Sequence, residues 1–396
     1  MTDKESLETV SLDERLKMLN DRLAEHYVSP SLPWILDLVI SDAMISSRRF
    51  VLGRSIEMIV LPNQSAADFD ATQRLAVPPA NTTMTLSAAV LEKILADPTR
   101  FDPRNAASLA QGSLQIEGDA LVAAYWIQLL KRPTAKQLAS LVKARARAPA
   151  WLNSVPHISA KHTSSEHLFE EIVKALEHST PLHLSNALDW PELMWTLNDW
   201  RVREGATIVS IHPVNDARLS ISNFIDAFDR PSNGDAGALY TDGCVLPPPW
   251  EERFRIPAVP AAAFSGAQLW FGQRRTHAVA TRLHCDLANS FLAQVFGRKR
   301  VRLYAPAQEH ALYAWDAFNF FRPCSVDVVA PNLDRFPRFT DAQGIDVVLA
   351  PGDLLIIPTG WFHCVWALDN VLSISRVMSD EAAEHLKLFC PSVEMS

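Results

Sequence analysis

Cysteine is scarce in this 396-residue chain: Cys244, Cys285, Cys324, Cys364 and Cys390 are scattered, odd in number and never spaced as Cys-x-x-Cys. That argues against a disulfide framework and against a zinc finger. Long apolar runs are lacking too, and none approaches the roughly 18 residues that span a bilayer. The opening MTDKESLETVSLDERLKML is too acidic and polar for a secretory leader, so the expectation is a cytoplasmic protein without a membrane span. Basic residues are not in excess either, with 37 Lys and Arg against 45 Asp and Glu and a net charge of −8. Phosphate backbones are held by clustered excess cations, so this balance argues against nucleic acid and for basic peptides or small molecules. What is left is an ordinary globular composition, 48% apolar and 21% charged, long enough for two or three cores.

Ser11-Leu12-Asp13-Glu14 has the form of a capping box, and Leu12, Leu16, Leu19 and Leu23 follow at helical spacing. A helix is therefore expected over 11–26. SIEMIVLPN and NTTMTLS read as strands, and SAAVLEKILADP reads as a helix stopped by Pro98. GSLQIEGDA reads as a strand in which Leu114 and Ile116 alternate with Gln115 and Glu117, and residues 120–130 return to a helical pattern. The Lys, Arg, Ala and Pro content of 131–165 suggests one exposed helix and then a linker. Thr163-x-x-Glu166 is a second capping box, opening a helix in EHLFEEIVKALEH, after which the chain is strand-rich to about 378. His183 reads as a strand histidine without a carboxylate partner, and Trp190, Trp195 and Trp200 read as core.

Chemistry concentrates in TRLHCDLANSFLAQVFGRKRVRLYAP, residues 281–306. On a strand, residues i and i+2 share a face, so His284 and Asp286 can point together while Cys285 points away. An imidazole and a carboxylate side by side are two of the three ligands of a 2-His-1-carboxylate triad. His363 follows a strand (Leu354 to Ile357) and the breaker Pro358-Thr359-Gly360, 79 positions after His284. Neither Cys285 nor Cys364 is expected to bind metal. In GRKRVRLY, Arg298, Arg300 and Arg302 share a face and are read as solvent-facing. Lys299 shares the other face with Val301 and Leu303, where an unpaired ammonium is costly. It needs an anion there, either a cosubstrate carboxylate or an internal Asp or Glu.

Two resemblances follow. Residues 81–130 resemble the C-terminal half of a sterol-carrier-protein-2-like domain, on the strand Gly112 to Asp119 leading into a last helix. This implies an α+β domain with an apolar tunnel for acyl or sterol ligands, against the alternative of an accessory domain without a ligand. Residues 180–380 resemble the JmjC or cupin-like 2-oxoglutarate oxygenases, especially the asparaginyl-hydroxylase-like branch. PLHLSNALDWPE, LSISNFIDAF, LWFG, the stretch quoted above, VDVVAPNLDRFPRF and LAPGDLLIIPTGWFHCV fall in that family's order. The resemblance implies an α+β N-terminal domain (1–135), a helical linker (136–165) and a mainly β double-stranded β-helix of jelly-roll or cupin type with flanking helices (166–396).

By position, the second resemblance makes His284, Asp286 and His363 ligands of Fe(II). It puts Lys299 and Thr281 on the distal carboxylate of 2-oxoglutarate and lets Tyr240 reach the same cosubstrate. The implied reaction uses O2 to hydroxylate a C–H bond of a protein, amino-acid or small-metabolite substrate, releasing succinate and CO2. Two departures stand out. Ser290 occupies a place where Asn is frequent, with Asn289 one earlier on the wrong face. Arg376 replaces another frequent Asn, either as a second cation for the cosubstrate or as a residue of the barrel wall. The competing readings are a non-catalytic cupin scaffold with a lipid-binding or lipid-sensing N-terminal domain, and a cupin metalloenzyme that does not use 2-oxoglutarate.

Overall fold

The computed structural model describes residues 10–25, 27, 33–41, 46–61, 79–97, 101, 103, 113–211, 218–229, 239–241, 243–275, 277–318 and 321–386. The chain divides into two compact units, Met1–Thr134 with Trp315–Asn319, and Ala135–Ala314 with Phe320–Ser396.

In the first unit, strands β1 (Trp34–Ile40), β2 (Ser46–Leu52), β3 (Ile56–Leu61), β4 (Thr82–Leu86) and β5 (Leu114–Gly118) form one sheet. Its order is β3-β2-β1-β4-β5, with β1 antiparallel to β2 and parallel to β4. Alternate residues Leu36, Leu38 and Ile40 enter a core with Leu16, Leu19 and Leu23 of helix α1 (Leu12–Glu25). Helices α2 (Ala88–Ala96) and α3 (Ala120–Leu129) add Val90, Leu91, Ile94, Leu95 and Trp126. The first capping box forms: the Ser11 N–H donates to Glu14 at 3.0 Å and the Glu14 N–H to the Ser11 hydroxyl at 3.3 Å. Pro98 and Gly112 lie outside the described residues. Trp315, far along the chain, completes this core with its ring 5.0 Å from that of Tyr125.

The second unit begins with helix α4 (Ala135–Arg147) and is otherwise mainly β. Its strands are β6 (His157–Ser159), β7 (Leu182–Ser185), the hairpin β8 (Ile208–Ser210) and β9 (Arg218–Ser220), β10 (Cys244–Val245), β11 (Gly266–Gly272), β12 (Thr281–Asp286), β13 (Asn289–Phe296), β14 (Lys299–Tyr304), β15 (Phe321–Pro323), β16 (Ile345–Leu349), β17 (Leu354–Ile357), β18 (Phe362–Ala367) and β19 (Val371–Met378). One large sheet runs β10-β11-β19-β13-β17-β7-β6, and a smaller one runs β15-β12-β18-β14-β16. Leu292, Leu355 and Ile357 of the large sheet meet Val301, Leu303, Val347, Leu349 and Val365 of the small one in a shared core. This is a jelly roll.

The residues between them in sequence face outward. Phe291, Ala293, Leu372 and Ile374 pack under helices α5 (Ser165–Glu177), α6 (Leu197–Glu204), α7 (Ile221–Asp226) and α8 (Pro248–Arg253), through Ile172, Trp200, Phe224 and Trp250. Both faces of the large sheet are thus apolar, which is why NSFLAQVF shows no alternation. A short helix α9 (Asp380–Glu384) follows β19. Two expectations are corrected. The cap of α5 is Ser164, whose hydroxyl accepts the His167 N–H; Thr163 instead donates its hydroxyl to Ser159. His183 does have a carboxylate partner, Asp353, at 3.1 Å across β7 and β17. Among the described residues, no helix is long and apolar enough to cross a membrane.

Candidate metal centre

Strand pairing brings the distant histidine to the near one. β12 runs antiparallel to β18, with His284 directly opposite His363 and Cys285 opposite Phe362. Directly opposed residues share a face, so both imidazoles point inward, and Asp286, two residues on, points with them. The imidazole centroids are 4.3 Å apart. His284 Nε2 lies 3.5 Å from Asp286 Oδ1, and His363 Nε2 lies 3.9 Å from Asp286 Oδ2. One ligand atom from each residue falls within 4.8 Å of the other two, a group that could hold a metal ion.

Main-chain carbonyls set the tautomers. His284 Nδ1–H donates to the Arg282 carbonyl at 2.7 Å, and His363 Nδ1–H donates to the Trp361 carbonyl at 3.2 Å. With the proton on Nδ1, each Nε2 presents a lone pair on the side of Asp286. Burial, reinforced by the nearby His284, lowers the His363 pKa to about 4, so its imidazole is neutral near pH 7. Burial alone would raise the Asp286 carboxyl. When His284 Nε2 is also protonated, its N–H donates to Asp286, and that bond with the imidazolium charge outweighs burial and holds the carboxyl below the usual carboxylate range; a divalent cation takes the place of that proton. Two imidazole nitrogens and one carboxylate, with no Lys or Arg ion-paired to Asp286 among the described residues, form a donor set suited to a divalent cation and fitting Fe(II). Cys285 and Cys364 lie on the other face among Leu283, Phe362 and Trp366, where burial pushes both thiols up, Cys364 to about 12.

Further along β18, Val365 and Ala367 continue the inward row. Thr281 lies opposite Val365, and Lys299 lies opposite Ala367. A register shift between Thr281 and His284 lets both face inward despite their odd spacing. Four residues from His363 to Ala367 make about 13 Å along the strand. Lys299 is only 1% exposed, and no carboxylate pairs with it among the described residues, so the internal Asp or Glu is not found. Its ammonium sits 5.4 Å from the Tyr240 ring and 5.8 Å from the Trp270 ring. Burial lowers its pKa to about 7. Tyr240 reaches this position through a bridge to Gly272, where any Cβ would meet the tyrosine ring at 2.2 Å.

Other residues depart from the sequence reading. The guanidinium of Arg376 donates to the carbonyls of Glu251 at 2.6 Å and Phe254 at 2.9 Å, on the outer side of the large sheet. It belongs to the barrel wall and cannot serve as a cation inside it. Ser290 shares the inner face with Ile357. Asn289 cross-links turns, as described below. The arginines of β14 are engaged: Arg302 pairs with Asp346 at 2.7 Å, and Arg300 lies 4.0 Å over Trp366, while Arg298, just before the strand, pairs with Asp369 at 2.8 Å. Sequence reasoning also missed an inner polar chain, in which Trp270 Nε1–H donates to Ser375 (2.9 Å) and Ser375 to Gln268 (3.2 Å). The alternation of Gln268 and Trp270 in GAQLWFG was the signal available for it. Phe321, opposite Asp286 and 5.5 Å from the His284 ring, is 47% exposed beside the triad. Nothing in FNFFRP singles it out.

The Cupin-like domain model matches residues 167–377, just over half of the chain. Over 106 residues the chain is 40% identical to Lysine-specific demethylase 8 of Xenopus tropicalis, covering 27% of this chain and 23% of that protein. It is 35% identical over 106 residues to JmjC domain-containing protein D of Dictyostelium discoideum (26% and 23%). It is 38% identical over 103 residues to tRNA wybutosine-synthesizing protein 5 of Danio rerio (26% and 27%). The matches span about a quarter of the length of these relatives.

Proposed function

The chain belongs to the Cupin-like domain family, and on that premise we propose that it is an Fe(II)- and 2-oxoglutarate-dependent oxygenase. One observation carries the reading. A single inward face joins a two-nitrogen, one-carboxylate donor set at one end of β18 to a buried ammonium without a carboxylate partner, among the described residues, at the other. A dicarboxylate oxo-acid is a molecule that needs both ends at once.

In this reading His284, Asp286 and His363 hold Fe(II), and Lys299 takes the distal carboxylate of 2-oxoglutarate. Thr281 donates its hydroxyl to that carboxylate, and Tyr240 closes the pocket over the Lys299 stem. When bound, iron and cosubstrate supply O2 activation coupled to decarboxylation of 2-oxoglutarate, giving succinate and CO2 with hydroxylation of a substrate C–H bond. The chain's own part is to orient and to dry the site. Leu292, Leu303 and Val365 exclude water between the two ends.

The substrate class we propose is a protein side chain, an amino acid or a small metabolite, as in the asparaginyl-hydroxylase-like branch. Demethylation of an N-methyl group proceeds through the same C–H hydroxylation, and two relatives carry names of that kind or of tRNA modification. The second name corrects the argument from net charge. An overall charge of −8 does not exclude RNA, because recognition depends on the local surface at the site. We further read 1–135 as a sterol-carrier-protein-2-like domain able to take a hydrophobic ligand, 136–165 as a helical linker and 166–396 as the oxygenase domain. The α+β build of the first unit supports the first of these.

The test is conversion of 2-oxoglutarate to succinate by the Fe(II)-loaded protein. His284→Ala, Asp286→Ala and His363→Ala are each expected to lower turnover by about 100-fold or more, since outer partners of metal ligands alone cost 10- to 100-fold. Unchanged turnover in Asp286→Ala overturns the assignment.

A further inference from the structure

Asp380 lies beyond the residues the family model matches and is not one of the three proposed ligands, yet it closes a bracket around the turns that carry two of them. The first turn leaves β12 at Asp286 and enters β13 at Asn289. The second is Pro358-Thr359-Gly360, three residues before His363. The two are joined directly, because the Gly360 N–H donates to the Asp286 carbonyl at 3.0 Å. They are joined again through side chains, because the Thr359 N–H donates to Asn289 Oδ1 at 3.1 Å.

Asp380 gathers both. Its Oδ1 accepts the Thr359 hydroxyl at 2.7 Å and the Asn289 amide at 3.1 Å, and its Oδ2 accepts the hydroxyl of Ser140 on α4. Asn289 is fully used, its amide also donating to the Met378 carbonyl at 3.3 Å. Helix α4 supports the same region from above the turn. A Cβ on Gly360 would meet Leu141 at 3.4 Å and Ala144 at 3.6 Å. Arg145 of α4 pairs with Glu309, whose other oxygen takes Arg322 of β15, the strand beside β12.

We propose that Asp380 is a positioning residue of the metal centre, fixing the separation of the Asp286 and His363 turns and tying it to α4 through Ser140. This rests on reading the triad as a metal site. Two of its three partners, Thr359 and Asn289, lie in the turns that carry the ligands, so its loss changes how the ligands converge. The sequence between 135 and 165 looks like a connector, but α4 then forms part of the centre's support.

The test is Co(II) binding to the full-length metal-free chain, read by affinity and by the ligand-field and paramagnetic-resonance spectra, beside thermal melting without metal. Asp380→Ala is expected to bind Co(II) about tenfold more weakly, at the low end for outer partners of metal ligands, with an altered spectrum. Asp380→Asn keeps an oxygen acceptor and is expected to recover most of the affinity. Thr359→Val removes one arm alone and should shift the spectrum in a fully folded protein. Lys136→Ala breaks only the exposed pair with Glu381 and should match wild type. Wild-type affinity and spectrum in folded Asp380→Ala, or in Thr359→Val should Asp380→Ala fail to fold, overturn the inference. Failure of the wild type itself to bind Co(II), matched by Asp286→Ala, overturns the metal reading instead.

Discussion

Lys299 is held in a state it would not adopt in water. Its ammonium lies among aromatic rings with no carboxylate paired among the described residues, and burial lowers its pKa from 10.5 to about 7. Between those values the unfolded chain binds a proton that the folded chain does not, so stability rises as pH climbs from about 7 toward 10.5. Below about 7 the folded chain carries the buried charge and its full penalty. Lys299→Met is therefore expected to raise the melting temperature, most at pH 6.5, and to remove this pH dependence while abolishing 2-oxoglutarate turnover. A dianion that pairs with the protonated form should itself bind on the order of tenfold more weakly at pH 8.5 than at 6.5, measured by titration calorimetry. An unchanged affinity would mean that Lys299 does not meet it. At this scale His284, Asp286 and Lys299 were legible because strand alternation assigns their faces. The inward face of Thr281 was not, because it depends on a bulge that pattern cannot reveal. Arg376 was ambiguous in sequence because its acceptors are carbonyls of a distant helix.

The decisive elements are two strands and a turn. β12 and β18 put residues 284 and 363 side by side, and Gly360, at φ +81°, turns the chain into β18. That conformation costs an L-residue about 1–2 kcal/mol. Gly360→Ala is expected to lose about that much stability in denaturant unfolding, with an unchanged slope; a neutral result would mean that the turn tolerates a Cβ. Helix α1, strands β3 and β4 and, in the barrel, β12, β14 and β17 were legible from capping, alternation and turn breakers. β1 and β2 carry no such signal, because WILDLVI is nearly all apolar and its one charge, Asp37, is matched by Arg49 across the pair at 2.7 Å. The start of α5 was displaced by one residue because Thr163, Ser164 and Ser165 all offer hydroxyls, and only the geometry selects Ser164.

The molecule has separate cores, and the boundary between them is not a single point in the chain. Residues 315–319 leave the second half to join the first unit, where Trp315 packs on Tyr125. No local signal in AWDAFNF announces this, since the partners lie some 190 positions away. Trp315→Ala is expected to cost about 3 kcal/mol through cavity formation, seen as a lowered melting transition, with iron affinity unchanged. Equal loss of iron binding would contradict the assignment of that residue to the first core alone. The jelly roll was legible in the order of its motifs, whereas the substrate was not, because exposed residues beside the triad such as Phe321 follow no pattern.

In the proposed oxygenase, His284, Asp286 and His363 act together on one iron. Anaerobic equilibrium dialysis against Fe(II) measures this directly. The prediction is one iron per wild-type chain and none retained by Asp286→Ala at the same free iron concentration. Equal iron in the folded Asp286→Ala protein would contradict it.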